Sequence, residues 1–252
     1  MKTFIKSNTF IKLLGFILIF IIWFLISEII NEKSLIFPGP ISSIKEFFFL
    51  MSKKSTYISI LYSLYKMLIG YVVSILLALI IGTIAGLYKK IYILLSPLMT
   101  TLKAIPTASL LFLFIVLAGF DNSPIYVVIL VSFPILYESI VGGIVNIPSN
   151  INDAISLDGG NNIKNTLKVK LPLSINYILV GIASSFSLAF KVEIMSEVLS
   201  GSTRYGIGSS IKLSQITSTN MTPIFSWTII AVLLMLIFDY LAKIIKNKLI
   251  IQ

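Results

Sequence analysis

The chain has 252 residues, 57% of them hydrophobic and only 12% charged, and its mean hydropathy is +1.00. A soluble domain carries about a quarter charged residues, so water is not the main solvent here. The net charge of +10 therefore reports on topology rather than on nucleic acid, and the absence of Cys and His excludes disulfides, thiol nucleophiles, imidazole bases and the commonest transition-metal ligands.

Taken in order, the first apolar run is Leu13 to Ser27, preceded by Lys2, Lys6 and Lys12. It could be a signal peptide, but no small-residue cleavage site follows and further spans do, which favours an uncleaved first helix. Phe37-Pro38-Gly39-Pro40 is a rigid turn, after which Ile41, Ile44, Phe48 and Met51 recur at helical spacing. That pattern predicts a short amphipathic helix lying on the outer membrane face. Met67 to Tyr88 is a second span, and its Ala78, Gly82 and Gly86 form a small-residue stripe suited to close helix packing. Beyond Lys89-Lys90 the chain re-enters through Pro97 and Pro106, which break or kink a helix. Irregular backbone at that depth must line protein or a cavity. Ala104 to Phe120 and Asn122 to Tyr137 are the third and fourth candidate spans.

The stretch from Pro148 to Lys170 is the longest polar insertion between spans. Ile151 and Ile155 precede Gly159, and Ile163, Leu167 and Leu171 follow it, so two short amphipathic helices joined at a glycine are expected. Pro172 then opens a fifth span, Leu171 to Phe190, and Leu213 to Phe238 is the sixth. The prediction is a single all-α, polytopic membrane domain over 1–252 with six transmembrane helices. Lysines fix its orientation, since Lys89, Lys90, Lys164, Lys168, Lys170, Lys243, Lys246 and Lys248 all fall on the cytoplasmic side if the N-terminus is inside. Lys33, Lys45, Lys53 and Lys54 in the first outside loop run against the rule. Reversing the topology would export both termini and the lysine-rich 148–170 segment.

Charges inside a membrane are functional candidates, because insertion scales assign an ionised side chain about +2.5 to +3.5 kcal/mol at a helix centre. Lys191, Glu193 and Glu197 lie at the outer end of the fifth span. Glu193 and Glu197, four apart, share a helix face that Lys191 does not. Either Glu197 sits at the pathway or outer gate with Lys191 attracting an anion, or the three reach interface water or pair with other helices. Glu138 either faces the bundle or snorkels, and Lys103, three residues before Pro106, is expected to snorkel to phosphates. No GxxxxGK[ST] phosphate loop occurs, so any ATP coupling must come from another polypeptide.

Asp153-Ala154-Ile155, Gly159 and Leu171-Pro172 keep the spacing of the EAA signature of permeases from binding-protein-dependent ABC importers, with Asp in place of the signature's Glu and Ile155 in place of its second Ala. Phe37-Pro38-Gly39-Pro40, Lys103-Ala104-Ile105-Pro106 with the later Gly119, and Glu197 with Gly206-Ile207-Gly208 resemble further segments of the nitrate, sulfonate and taurine type, in order and over nearly the whole chain. The resemblance implies a cytoplasmic coupling segment at about 148–171, with Asp153, Ala154, Gly159, Leu171 and Pro172 contacting the ATPase. It places Pro106, Lys191, Glu193 and Glu197 as candidates for the pathway or gate. It implies a permease homodimer in a bacterial inner membrane, two cytoplasmic ABC ATPase subunits carrying ATP and magnesium, and an extracytoplasmic substrate-binding protein. This chain would then bind no cofactor and perform no catalysis. The solute would be sulfonate-, nitrate- or taurine-like, or a thiamine precursor. A secondary transporter would show repeated halves with ionisable residues at broken helices, which are not seen. The energy-coupling component of vitamin importers uses arginine-bearing motifs, whereas the single arginine, Arg204, is predicted outside.

Overall fold

In lipid every backbone N–H and C=O must be satisfied within its own segment, so long apolar runs form helices. The computed structural model describes all residues except 1–7, 31–36, 158, 159, 161, 202–204, 251 and 252. Among the described residues the elements are α1 (Asn8–Ile30), α2 (Pro40–Met51), α3 (Lys54–Leu87), α4 (Lys89–Ala104), α5 (Thr107–Val145), α6 (Ser149–Leu157), α7 (Ile163–Asn165), a π-helical turn (Thr166–Lys170), α8 (Leu171–Leu173), α9 (Ile175–Ser200), α10 (Ile207–Thr217) and α11 (Thr222–Ile250), with no strand. Among the described residues four stretches are long and apolar enough to cross a membrane, namely α3, α5, α9 and Thr222–Leu241 of α11; Leu14–Ile30 is a shorter apolar helix.

The expected small-residue stripe sets the central packing. A Cβ on Gly82 would lie 3.2 Å from Ile140 Cβ, and one on Gly86 2.9 Å from Ile144 Cβ, while a Cβ on Gly70 would meet Val128 Cγ1 at 3.0 Å. Rising numbers on α3 thus meet rising numbers on α5, and the two helices run parallel. Gly143 meets Ser174 and Tyr177 while Gly181 meets Ser139, so α9 runs antiparallel to both. Tyr71 ties α3 to α9 at mid-height, its hydroxyl donating to the Ile182 carbonyl at 2.6 Å with Ser185 Oγ 2.9 Å away.

Parallel neighbours need a return path, and residues 88–119 supply it. α5 is two arms rather than one 39-residue rod, because Gly119 takes φ 79° and ψ 170°. A side chain is disfavoured at that φ, so the glycine permits the reversal. The first arm, 107–118, is about 18 Å long and cannot cross a roughly 30 Å hydrocarbon core alone. The predicted third span, Ala104 to Phe120, is therefore replaced by a composite of α4 and this arm, broken at Ile105 and Pro106. Proline there lacks the N–H and disfavours the α region for Ile105, whose φ and ψ are −69° and 127°.

The helix after the rigid turn is present as α2, but its expected apolar stripe is divided, since Ile44 is half-buried and Met51 packs against the core. Ile41 and Phe48 are exposed, while Pro40, Ser43 and Leu50 are buried against the bundle. Ser226 Oγ donates to the Ser43 carbonyl at 2.8 Å, fixing α2 to α11. Trp23 of α1 donates to the Pro38 carbonyl at 3.2 Å and stacks on Phe225.

Candidate functional site

Two ends of the bundle carry distinct features. At the end where α5 stops and α9 starts, α6 presents Asp153 and Ala154 outward and turns Ile155 inward. Gly159 lies outside the described residues. Gly160, with φ 77°, makes the described turn, and its carbonyl accepts from Asn165 Nδ2 at 2.9 Å. Asn162 caps the second limb by accepting from the Asn165 N–H at 2.8 Å. That limb runs through α7, the π turn and α8 into Ser174 and α9. Leu171 packs against the core and Pro172 is exposed. Lys170 is buried inside the limb, and burial pushes its pKa down, whereas Lys164 and Lys168 are exposed. Leu157, Ile163 and Leu167 are exposed, with Leu157 91% accessible.

The opposite end holds a buried charge cluster. Glu193 and Glu197 share a face of α9 as expected, and both are fully buried. Lys66 of α3 sits 3.1 Å from Glu197 Oε1 and 4.0 Å from Glu193 Oε1. Its ammonium also lies 4.8 Å from the centre of the Tyr62 ring. Glu197 Oε2 accepts from Ser63 Oγ at 2.6 Å and from the Gly208 N–H at 2.9 Å, and the Ile207 N–H donates to Ser63 Oγ at 2.8 Å. One carboxylate thus staples α3, α9 and the start of α10. Among the described residues neither oxygen of Glu193 has a hydrogen-bond partner. Lys191 points elsewhere and is exposed.

The turn into α10 is shaped around that staple. A Cβ on Gly206 would fall 2.5 Å from Glu197 Oε1, and one on Gly208 2.4 Å from the Ile194 carbonyl oxygen. Gly208→Ala is expected to lower stability in detergent by about 1–3 kcal/mol through overpacking. Gly142→Ala, whose nearest neighbour would be 3.9 Å away, is expected to change it little. Thermal unfolding of the two purified variants would separate these outcomes.

A third charged feature joins residues 35 apart. Lys103 Nζ lies 2.5 Å from Glu138 Oε1, and both side chains are nearly half exposed. Lys103 thus meets a carboxylate rather than snorkelling away from the bundle. Pro106 is exposed at the break just beyond, where Thr107 Oγ1 approaches Met195 Sδ of α9 at 3.9 Å. Lys103 pairs with Glu138 and the two acids of α9 pair with Lys66, so among the described residues no ion pair links the two charged sets.

Residues 74–251 match the family described as the binding-protein-dependent transport system inner membrane component. The chain belongs to that family. It is 25% identical over 230 residues to the putative aliphatic sulfonates transport permease protein SsuC of Bacillus subtilis, covering 90% of this chain and 82% of that one. A probable ABC transporter permease of Brucella melitensis is 25% identical over 195 residues, 77% of each chain. The nitrate import permease NrtB of Leptolyngbya laminosa is 29% identical over 150 residues, 58% of this chain and 52% of that one. Among solved structures, an inward-facing MetNI methionine ABC transporter chain superposes with a TM-score of 0.67 at 14% identity, over 77% of this chain and 95% of that one. A chain of an amino acid ABC transporter gives 0.64 at 16%, over 82% and 97%. These two likenesses concern the fold.

As a member of the permease family the chain is a multi-pass inner-membrane transport component. Among the described residues no group of three Asp or Glu side chains could hold a metal ion.

Proposed function

We propose that two copies of this permease line the pathway of an ATP-driven importer, with cytoplasmic ATPases docked on residues 149–173 and both termini on the ATPase side. A separate extracytoplasmic binding protein delivers the solute, a small one of sulfonate or nitrate type in keeping with the named relatives. The observation that carries this reading is the exposed apolar set Leu157, Ile163 and Leu167 on a lysine-bearing hairpin at one end of the bundle. Apolar side chains at helical spacing, raised on a polar segment, fit a hydrophobic groove on a soluble partner. The limb continues into α9 with only Ser174 between, so displacement of the hairpin moves the helix that carries Glu193 and Glu197. Asp153, Ala154, Leu171 and Pro172 fall along that same segment, and by its spacing Gly159 belongs to the joint.

The test is recovery of the ATPase subunit by tagged permease in detergent. Leu167→Asp and Gly159→Arg are both expected to insert and dimerise normally while losing ATPase association and uptake. Equal ATPase recovery by both variants and wild type, with undiminished uptake, would reduce the hairpin to a pair of helices lying on lipid headgroups.

A further inference from the structure

A cavity of about 920 Å³ opens at the end of the bundle opposite the 149–173 hairpin, between the start of α3 and α10. Among the described residues its charged lining residues are Lys53 and Lys212, and none is acidic. Lys53 Nζ rests 3.9 Å over the Phe49 ring and Lys212 Nζ donates to Gln215 Oε1 at 3.2 Å. Among the described residues neither ammonium is in a salt bridge. Six serine and threonine hydroxyls share the lining. Ser209 among them is only 4% exposed, and its Oγ has no hydrogen-bond partner. A buried hydroxyl left unsatisfied costs about 1–3 kcal/mol, so this one has an unmet demand that a ligand oxygen would satisfy. Tyr62, Tyr205 and Trp227 add aromatic surface. Glu193 and Glu197 are fully buried and absent from the lining.

We propose that this cavity is a binding site on the permease itself for a small oxyanion carrying a short apolar body. The two ammonium groups supply charge-assisted hydrogen bonds to a sulfonate or phosphate group, and Ser209 supplies one more. Trp227 and the tyrosine rings cover the apolar part. The shared chemistry admits two sources, a soluble organic anion or the headgroup of an anionic lipid. The site draws on the transport reading only for the membrane face it opens to. Its test uses the permease without ATPase or binding protein, so failure here leaves the importer reading untouched.

The chain has two tryptophans, Trp23 and Trp227, and Trp23 does not line the cavity. Trp23→Phe therefore leaves Trp227 as the sole tryptophan, whose indole is excited selectively over the eleven tyrosines. In phosphatidylcholine nanodiscs, ethanesulfonate is expected to change Trp227 emission saturably, and potassium chloride of equal ionic strength is not. Lys53→Gln combined with Lys212→Gln is expected to weaken that response about tenfold or more, the value of a charge-assisted hydrogen bond. Lys212→Arg, which keeps the charge, is expected to retain it. Neither lysine is in the core, and equal unfolding temperatures would confirm that the double variant is folded. A response to phosphatidylglycerol in the disc but not to ethanesulfonate, again lost in the double variant, would assign the site to a lipid headgroup. Response to neither anion, or a response the double variant leaves unchanged, would overturn the proposal.

Discussion

Lys66→Met is expected to be the most destabilising single change in the bundle, costing about 3–5 kcal/mol as the broken half of a buried ion pair. Methionine fills most of the volume, so the loss is electrostatic rather than a cavity. Lys66 is the only cation within 4.0 Å of Glu193 or Glu197 among the described residues, and all three side chains are at most 3% exposed. Glu197 would keep its hydrogen bonds from Ser63 and Gly208, whereas Glu193 would lose its only charged partner. The variants of the two acids should therefore differ. Glu197→Ala removes the acceptor shared by α3 and α10 and is expected to loosen α10. Glu193→Gln keeps the volume and removes the surplus carboxylate, so it is expected to be tolerated and to rescue Lys66→Met in part. Denaturant titration of the purified variants, with proteolysis near residue 205 reporting on α10, would measure all four. A Lys66→Met protein as stable as wild type would mean that the cluster contributes nothing to holding the three helices.

This cluster also marks where sequence reading stopped. The spacing of Glu193 and Glu197 gave a shared helix face, because periodicity is a local property. Nothing local connects Lys66 to them across more than a hundred residues. Only the tertiary packing brings them together: α3 approaches α5 closely at Gly70 and Gly82, α9 approaches α5 at Gly181, and Tyr71 of α3 meets Ser185 of α9. The stripe at Ala78, Gly82 and Gly86 was legible as a packing surface, although not its partner. The helix pair within 148–171 was legible from its apolar spacing. Its π turn at Thr166–Lys170, and its near-continuity with α9, were not, because neither alters the count of apolar residues per turn enough to read. Pro106 announced a break, but hydropathy alone read an unbroken span through Ala104 to Phe120. The composite route emerged once α3 and the second arm of α5 proved parallel.

The same route gives the last expected result, that Lys103→Glu abolishes most uptake and that the exchange Lys103→Glu with Glu138→Lys restores it. Glu138 lies seven residues before the end of α5, about 10 Å inside that end of the helix. An ionised side chain facing lipid at that depth is costly, yet both members of the pair are nearly half exposed. The face they share with the exposed Pro106 is therefore suited to a water-filled pathway or a second permease copy rather than to acyl chains. Lys103→Glu would set two carboxylates together on that face and drive α4 from α5, widening the break at Ile105 and Pro106. The exchange keeps attraction with its sign reversed. An exposed ion pair contributes little to folding, so membrane insertion and ATPase recovery are expected to survive all of these changes. The discriminating readout is solute uptake into proteoliposomes containing the full importer, alongside ATPase recovery from the same preparations. Uptake by Lys103→Glu equal to wild type would show that the pair lies off the pathway. Restoration by the exchange, with ATPase binding unchanged throughout, would place the broken third crossing on the pathway.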